Sequence, residues 1–211
     1  MFAAADVHYP PSGGARAALV LASDATFSTI VAEKTAFIEH VTPYQPGEFY
    51  RRELPPLRAV LTAVDALDLL IIDGYATLDP DGRPGLGAYA HDEFAVPVIG
   101  VAKTRFAPAV HAIPVFRGSA TRPLYVTSAG VASADAADLV RAMAGKFRLP
   151  DALRRADTLA RARVLPKPGW LRSALWAGLR QSLSYVARTD SGGSPSSTLT
   201  STVGRRHGSV R

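Results

Sequence analysis

Three carboxylates stand where the surrounding residues do not call for one. Asp6 interrupts the apolar run Phe2-Ala3-Ala4-Ala5-Asp6-Val7, a setting in which strand propensity disfavours aspartate. Asp73 ends the apolar run Asp68-Leu69-Leu70-Ile71-Ile72-Asp73 and is followed by Gly74, which permits close backbone approach. Glu53 heads a helical pattern that follows Pro43-Tyr44-Gln45-Pro46-Gly47. If the strands bearing Asp6 and Asp73 are neighbours, the two carboxylates lie side by side and repel unless a cation neutralises them. Such oxygen donors suit a hard divalent ion, and two ions can clamp both sides of a phosphodiester under in-line attack. Lys103, just past Val98-Ile99-Gly100-Val101-Ala102, can set its ammonium against a phosphate or pair with the acids. Each residue also has an ordinary use. A strand-end aspartate serves a turn, a glutamate in a first helical turn favours the macrodipole, and a lysine past a strand meets solvent.

The segments that must place these groups alternate between strand and helix patterns. Residues 2–9 and 15–22 read as strands joined by the turn-rich Pro10-Pro11-Ser12-Gly13-Gly14, and residues 29–41 as a third strand. Residues 53–66 carry Leu54, Leu57, Val60, Leu61 and Val64 at helical spacing, with Pro55 and Pro56 expected in the first turn, where proline is tolerated. Residues 68–73 and 96–101 read as strands buried on both faces. Residues 86–94, 133–144 and 150–160 read as helices, and 113–116 and 124–127 as further strands. The order predicts an α/β fold: a mixed sheet of three antiparallel strands and then parallel strands, with helices on both faces.

A chain of 211 residues accommodates one ordinary domain and a tail. With 47% hydrophobic and 20% charged residues it has the balance of a soluble globular protein. No window approaches the roughly 20 apolar residues of a membrane span. The start, Met1-Phe2-Ala3-Ala4-Ala5-Asp6, lacks the basic region of a secretory leader, and a cytoplasmic location is expected. Cysteine is absent, which excludes disulfides, cysteine-ligated zinc and thiol catalysis. The net charge of +6 sits in the tail, where Arg163, Lys167, Arg172, Arg180, Arg188, Arg205, Arg206 and Arg211 face Asp190 alone. Residues 1–162 are close to neutral and are expected to form one domain, so bulk charge alone does not point it to nucleic acid. Residues 163–211 are expected to be a basic tail: a short amphipathic helix marked by Leu171, Leu175, Leu179 and Leu183, then a disordered Ser/Gly-rich end.

Other motifs fail on context. Gly85-Leu86-Gly87-Ala88-Tyr89-Ala90 has dinucleotide-loop spacing, but no strand runs directly into it and no acid follows at ribose-binding distance. There is no P-loop and no nucleophile elbow, and the five histidines form no H-x-x-x-H pair.

Taken in order, Ala5-Asp6-Val7, Pro43-Tyr44-Gln45-Pro46-Gly47 with Arg52-Glu53, Asp73-Gly74 and Pro97-Val98-Ile99-Gly100-Val101-Ala102-Lys103 resemble the endonuclease V family. Arg122-Pro123-Leu124-Tyr125-Val126 and Gly145-Lys146-Phe147-Arg148-Leu149-Pro150 extend the resemblance over residues 1–161. It implies a ribonuclease H-like fold and Mg²⁺-dependent hydrolysis, with Mn²⁺ as a substitute, of a phosphodiester in DNA or RNA on the 3′ side of a deaminated base, chiefly hypoxanthine. It makes Asp6, Glu53 and Asp73 the metal-binding carboxylates and sets Lys103 near the scissile phosphate. Tyr44 becomes the aromatic wedge beside the lesion, and Pro46, Gly47 and Gly74 the backbone close to base and sugar, consistent with extrusion of the base into a pocket. A monomer is expected.

The chain also departs from the family's pattern. Asp73-Gly74-Tyr75-Ala76 replaces Asp-Gly-His-Gly, Asp79 stands where a further histidine belongs, and Ala129-Gly130-Val131 replaces Gly-His-Arg, a loss expected close to the metals. Gln45 and Glu48 replace apolar residues of the wedge motif, and the helix usual before the first strand is missing. The departures frame an alternative, a relative that binds nucleic acid but has lost catalysis. A third reading treats the acids as incidental, in a structural protein that docks through its tail.

Overall fold

The computed structural model describes residues 1–162 apart from Pro46, Ala63 and Asp65; the expected tail helix and disordered end lie outside the described residues. The elements follow the order β1 (Phe2–His8), β2 (Ala15–Ala22), β3 (Ile30–Ile38), α1 (Phe49–Leu61), β4 (Leu69–Asp73), α2 (Leu86–Phe94), β5 (Val98–Ala102), β6 (Ile113–Val115), β7 (Leu124–Ala129), α3 (Ser133–Ala142) and α4 (Asp151–Arg161). All the strands join one sheet in the order β3-β2-β1-β4-β5-β7-β6. β1 to β3 form an antiparallel meander, and β4 and β5 then add parallel to β1. Parallel pairing stops there: β7 runs antiparallel to β5, and β6 to β7.

Two cores flank the sheet. Leu54, Leu57, Val60 and Leu61 of α1, with Leu86 and Ala90 of α2, cover Ala3, Ala5, Leu70 and Ile72. Ala136, Ala137 and Val140 of α3, with Ala152, Leu153 and Ala156 of α4, cover Ala4, Ile71, Ile99 and Val101. The small alanines of β1 let the helices approach closely on both faces. Two arginines fix the second helical layer. Arg117, buried, donates to the carbonyls of Gly145 (3.0 Å) and Phe147 (3.1 Å) and to that of Met143, gathering the turn between α3 and α4. Arg155 of α4 forks onto both oxygens of Glu33 on β3, at 2.7 and 2.8 Å.

One expectation is corrected. α1 begins at Phe49, so Pro55 and Pro56 lie in its interior rather than its first turn. A proline at position 56 leaves the carbonyl of Arg52 without its helical partner. The hydroxyl of Tyr9, just past β1, donates to that carbonyl at 2.9 Å and takes the missing N–H's place. Arg51, whose carbonyl Pro55 leaves free, is exposed. Glu53 accordingly sits in the second turn, facing the sheet.

Gly100 governs how the chain leaves β4. A Cβ there would stand 2.4 Å from the Ala76 nitrogen and 2.7 Å from the Gly74 oxygen. Without one, the segment after Asp73 folds onto β5, and the Ala76 N–H reaches Thr127 Oγ1 on β7 at 2.7 Å in a buried setting. Gly100→Ala is therefore expected to lower unfolding free energy by about 1–3 kcal/mol, read as a shift of the urea midpoint at unchanged slope.

Candidate active site

β1, β4 and β5 are adjacent and parallel, so their C-terminal ends open on one rim of the sheet. Side chains alternate between faces along each strand. Ala4 and Ile71 enter the core beneath α3 and α4, and Asp6 and Asp73, each two residues further on, share that face. The register pairing Ala5 with Ile72 brings the two aspartates alongside each other. Lys103 follows Val101 by the same step on β5, and its ammonium forms an ion pair with Asp73 Oδ2. Glu53 comes from α1 on the other face and is only 6% exposed. Asp6, Glu53 and Asp73 line one small pocket, floored by Leu57, Ile72 and Leu86.

The electrostatics show how strongly these acids are compressed. Burial, then the charges of Asp73 and Asp157, push the Asp6 carboxyl from 3.8 up to about 7, against a smaller opposing pull from Lys103. Burial is also the main cause that raises Glu53, to about 8; the Tyr9 hydroxyl offsets part of this, and the charges of Asp6 and Asp73 add to it. Burial opposes the charge on Lys103, yet the hydrogen bond it donates to Asp73 and the charges of Asp73, Asp6 and Asp157 hold its ammonium above the usual lysine range. The pocket thus gathers more carboxyl groups than its one lysine can neutralise, and protons retained on Asp6 and Glu53 take up the excess.

Asp157 is the residue that motif reading passed over. It stands on α4 one turn from Leu153 and one from Ala160, both buried, so an acid occupies the helix's buried stripe. That spacing was the available signal. Its charge acts on Asp6 and Lys103, and Arg161 Nε pairs with it at 2.8 Å.

The donor set is all carboxylate, which fits a hard divalent cation, and the pocket of about 10 Å³ admits one ion-sized occupant. Among the described residues no three acidic or histidine side chains stand close enough to ligate one ion together. The Lys103 ammonium instead takes the neutralising place beside Asp73.

A second cavity, of about 170 Å³, adjoins the first through Leu86 and is lined by Gly47, Phe49, Gly74, Tyr75 and Leu78 among others. Gly47 and Gly74 therefore meet at one place. Tyr44 lies in the loop before α1, 57% exposed and free of the core; Pro46 lies outside the described residues. Two expectations about histidines change. Asp79 accepts from the Arg83 N–H at 2.9 Å and pairs with its guanidinium, closing a tight turn. Gly130 follows Ala129, which pairs with Val98 at the start of β5, the end of the sheet opposite Asp73. Its φ of +74° and the His91 ring, 2.4 Å from where a Cβ would be, also leave no room for a histidine. No ligand beside the acids was lost there.

Comparison with known proteins gives the same picture from another side. A family model described as Endonuclease V matches residues 1–121. The chain is 33% identical to endonuclease V of Streptomyces avermitilis over 180 residues, covering 74% of this chain and 77% of that protein. It is 32% identical to endonuclease V of Azotobacter vinelandii over 186 residues, covering 78% and 83%. The crystal structure of the Streptomyces avermitilis protein superposes with a TM-score of 0.65 at 29% identity, covering 76% of this chain and 79% of that one. In fold alone, at 18% identity and a TM-score of 0.65, the chain also matches Ciona intestinalis endonuclease V in complex with a 23mer DNA containing an inosine followed by a ribo-adenosine, over 76% of this chain and 83% of that one. The mixed sheet is thereby a ribonuclease H-like fold.

The raised carboxyls make a pH prediction. Folded pKa values above the ordinary 3.8 and 4.5 mean that the native state holds protons the unfolded chain has released. Their effect on stability is therefore lost as pH rises through the window from about 4 to about 8. With EDTA present, Tm is expected to be higher near pH 5 than near pH 8.5 by about 5 °C, and Glu53→Gln should raise Tm at the higher pH. A Tm that is flat or rises over this range contradicts the compressed cluster.

Proposed function

This chain belongs to the endonuclease V family, and from that premise we propose that it hydrolyses a phosphodiester bond in DNA or RNA beside a deaminated base of the inosine type, in repair or nucleic-acid processing, as a monomer. The observation that carries the reading is the meeting of Asp6, Glu53 and Asp73, from β1, α1 and β4, in one pocket beside the Lys103 ammonium. Side chains so far apart in the chain, gathered at one rim of the sheet at a cost in repulsion, serve a purpose other than stability.

In this reading Asp6, Glu53 and Asp73, which line one pocket but stand too far apart to share an ion as they are, would draw together on Mg²⁺, or Mn²⁺ in its place, with Asp157 close by on α4. The ion would supply a water acidified enough to attack phosphorus and a counter-charge for the phosphate. The chain's own groups do the rest. The Lys103 ammonium, held charged by the acids, meets the negative charge that grows on the phosphoryl oxygens. Tyr44, exposed before α1, stacks beside the lesion. The cavity between Gly47, Phe49, Gly74 and Tyr75 receives the extruded base. The alternative of a catalytically lapsed relative leaned on Gly130, and its premise falls with the position of that residue at the far end of the sheet.

The test is incubation with inosine-containing and control oligonucleotides, single- and double-stranded, in Mg²⁺, Mn²⁺ or EDTA. Cleavage near inosine is expected with either metal and none with EDTA. Asp6→Asn and Asp73→Asn are each expected to lower the rate by about a hundredfold or more while the fold survives. Undiminished cutting by Asp73→Asn sinks the mechanism, and salt-sensitive binding without metal-dependent cutting returns the lapsed reading.

A further inference from the structure

Tyr75 stands where this chain departs from its family, and it belongs to two structures at once. It lines the 170 Å³ cavity together with Gly47 and Phe49. Its hydroxyl is turned away from that space. It donates to the carbonyl of Thr104 at 2.8 Å and accepts the Phe106 N–H at 2.9 Å, while its ring leans on that of Phe106 with centroids 6.0 Å apart. Thr104 and Phe106 belong to the long loop that starts at Lys103 and runs to β6. The same loop is tied a second time to the segment after Asp73, by His111 Nε2 and Thr77 Oγ1 at 2.8 Å. On its far side the Lys103 carbonyl is held by Arg148, which also donates to the Pro123 carbonyl at 2.7 Å.

The loop carrying Lys103 therefore has three anchors: Arg148, the His111–Thr77 contact, and the hydroxyl of a residue that lines the cavity. A tyrosine hydroxyl placed on one carbonyl and one N–H of a loop fixes backbone that lacks a ladder of its own. Any push on the ring is passed to that backbone, and Lys103 is one residue from the bonded carbonyl. We infer that Tyr75 is a positioning residue: its ring senses what occupies the apolar cavity, and its hydroxyl sets the Lys103 loop, so that occupation of the cavity governs where the Lys103 ammonium stands. A base with a planar apolar face is the class of occupant that fits, because the ring offers stacking and its hydroxyl is already used. This rests on the function proposed above.

The test uses the full chain, Tyr75→Phe, Lys103→Ala and the double variant, with inosine-containing and matched adenosine oligonucleotides. Tyr75→Phe keeps the wall and removes the anchor. It should leave the dissociation constant for the inosine oligonucleotide unchanged and lower the single-turnover rate by about ten- to a hundredfold. In the Lys103→Ala background the same change should lower the rate no further, which a merely structural role would not produce. A second readout needs no cleavage: hydrogen exchange at the Phe106 amide should change when the inosine oligonucleotide binds the wild-type chain and not when it binds Tyr75→Phe. Equal losses in both backgrounds, or weakened binding with an unchanged rate, overturn the inference. Should the wild-type chain cut nothing with any metal, the proposed function fails by itself, and the Phe106 amide alone decides the link: a response confined to the wild type upholds it, and no response overturns it.

Discussion

Carboxylates at the ends of neighbouring parallel strands repel one another, and that repulsion organises the rim of this sheet. β1 and β4 are in register, so Asp6 and Asp73 cannot avoid each other. Glu53 is pressed in from α1 and Asp157 acts from α4, both over apolar ground. Burial leaves little water to screen Asp6 and Glu53, while Asp73 and Lys103 stay part-exposed, and the cluster responds in the two ways open to it. Protons are held far above their ordinary range on Asp6 and Glu53, and the Lys103 ammonium closes on Asp73. A protein selected for stability alone would replace these groups by apolar ones of similar size. The surrounding apolar cores supply the free energy against which the cluster persists.

That persistence needs a scaffold that delivers each acid from a different direction. The α1 helix carries two interior prolines, and its free Arg52 carbonyl is met by Tyr9, the same residue whose hydroxyl bears on Glu53. Arg52 also lays its guanidinium over the Tyr9 ring at 3.7 Å, so one tyrosine steadies the turn that presents the acid. On the other face, buried Arg117 takes several carbonyls between α3 and α4, with the charge of Asp151 acting on it, a use of charge that leaves the turn well fixed. The placing of α4, and with it Asp157, follows from that turn and from the Arg155–Glu33 fork.

Much of this was legible in the residues, for definite reasons. Short continuous apolar runs such as Leu69–Asp73 and Val98–Ala102, rich in Val and Ile, read as buried strands, and an acid at the end of one is conspicuous. The meander of β1 to β3 was written in its turn residues. What stayed hidden depends on three dimensions. The start of α1 at Phe49 was masked by prolines that read as first-turn residues, since their tolerance rests on Tyr9, more than forty residues away. Asp157 was hidden because an acid in a helix reads as solvent-facing until the helix's partner is known. Gly130 was misplaced by motif alone: the antiparallel return of β7 carries its end away from the acids, and no spacing along the chain reveals strand direction.

The departures from the family's pattern are not spread evenly, and their places in the fold separate two kinds of constraint. Gly130 and Asp79 fall outside the acid cluster, one at the opposite end of the sheet and one in a tight turn, so they leave its charge untouched. Tyr75 falls on the wall of the neighbouring cavity, and Glu48 at the mouth of α1 beside it. Coulombic energy between buried groups changes steeply with the loss of a single charge, whereas an apolar wall tolerates exchange as long as its volume is filled. Asp6, Glu53, Asp73 and Lys103, which match the family's pattern, answer to the first constraint, and Tyr75 and Glu48, which depart from it, to the second. Tyr75 shows that such variation is not free. Its hydroxyl holds Thr104 and Phe106, so a residue lining the cavity also supports the loop of the lysine.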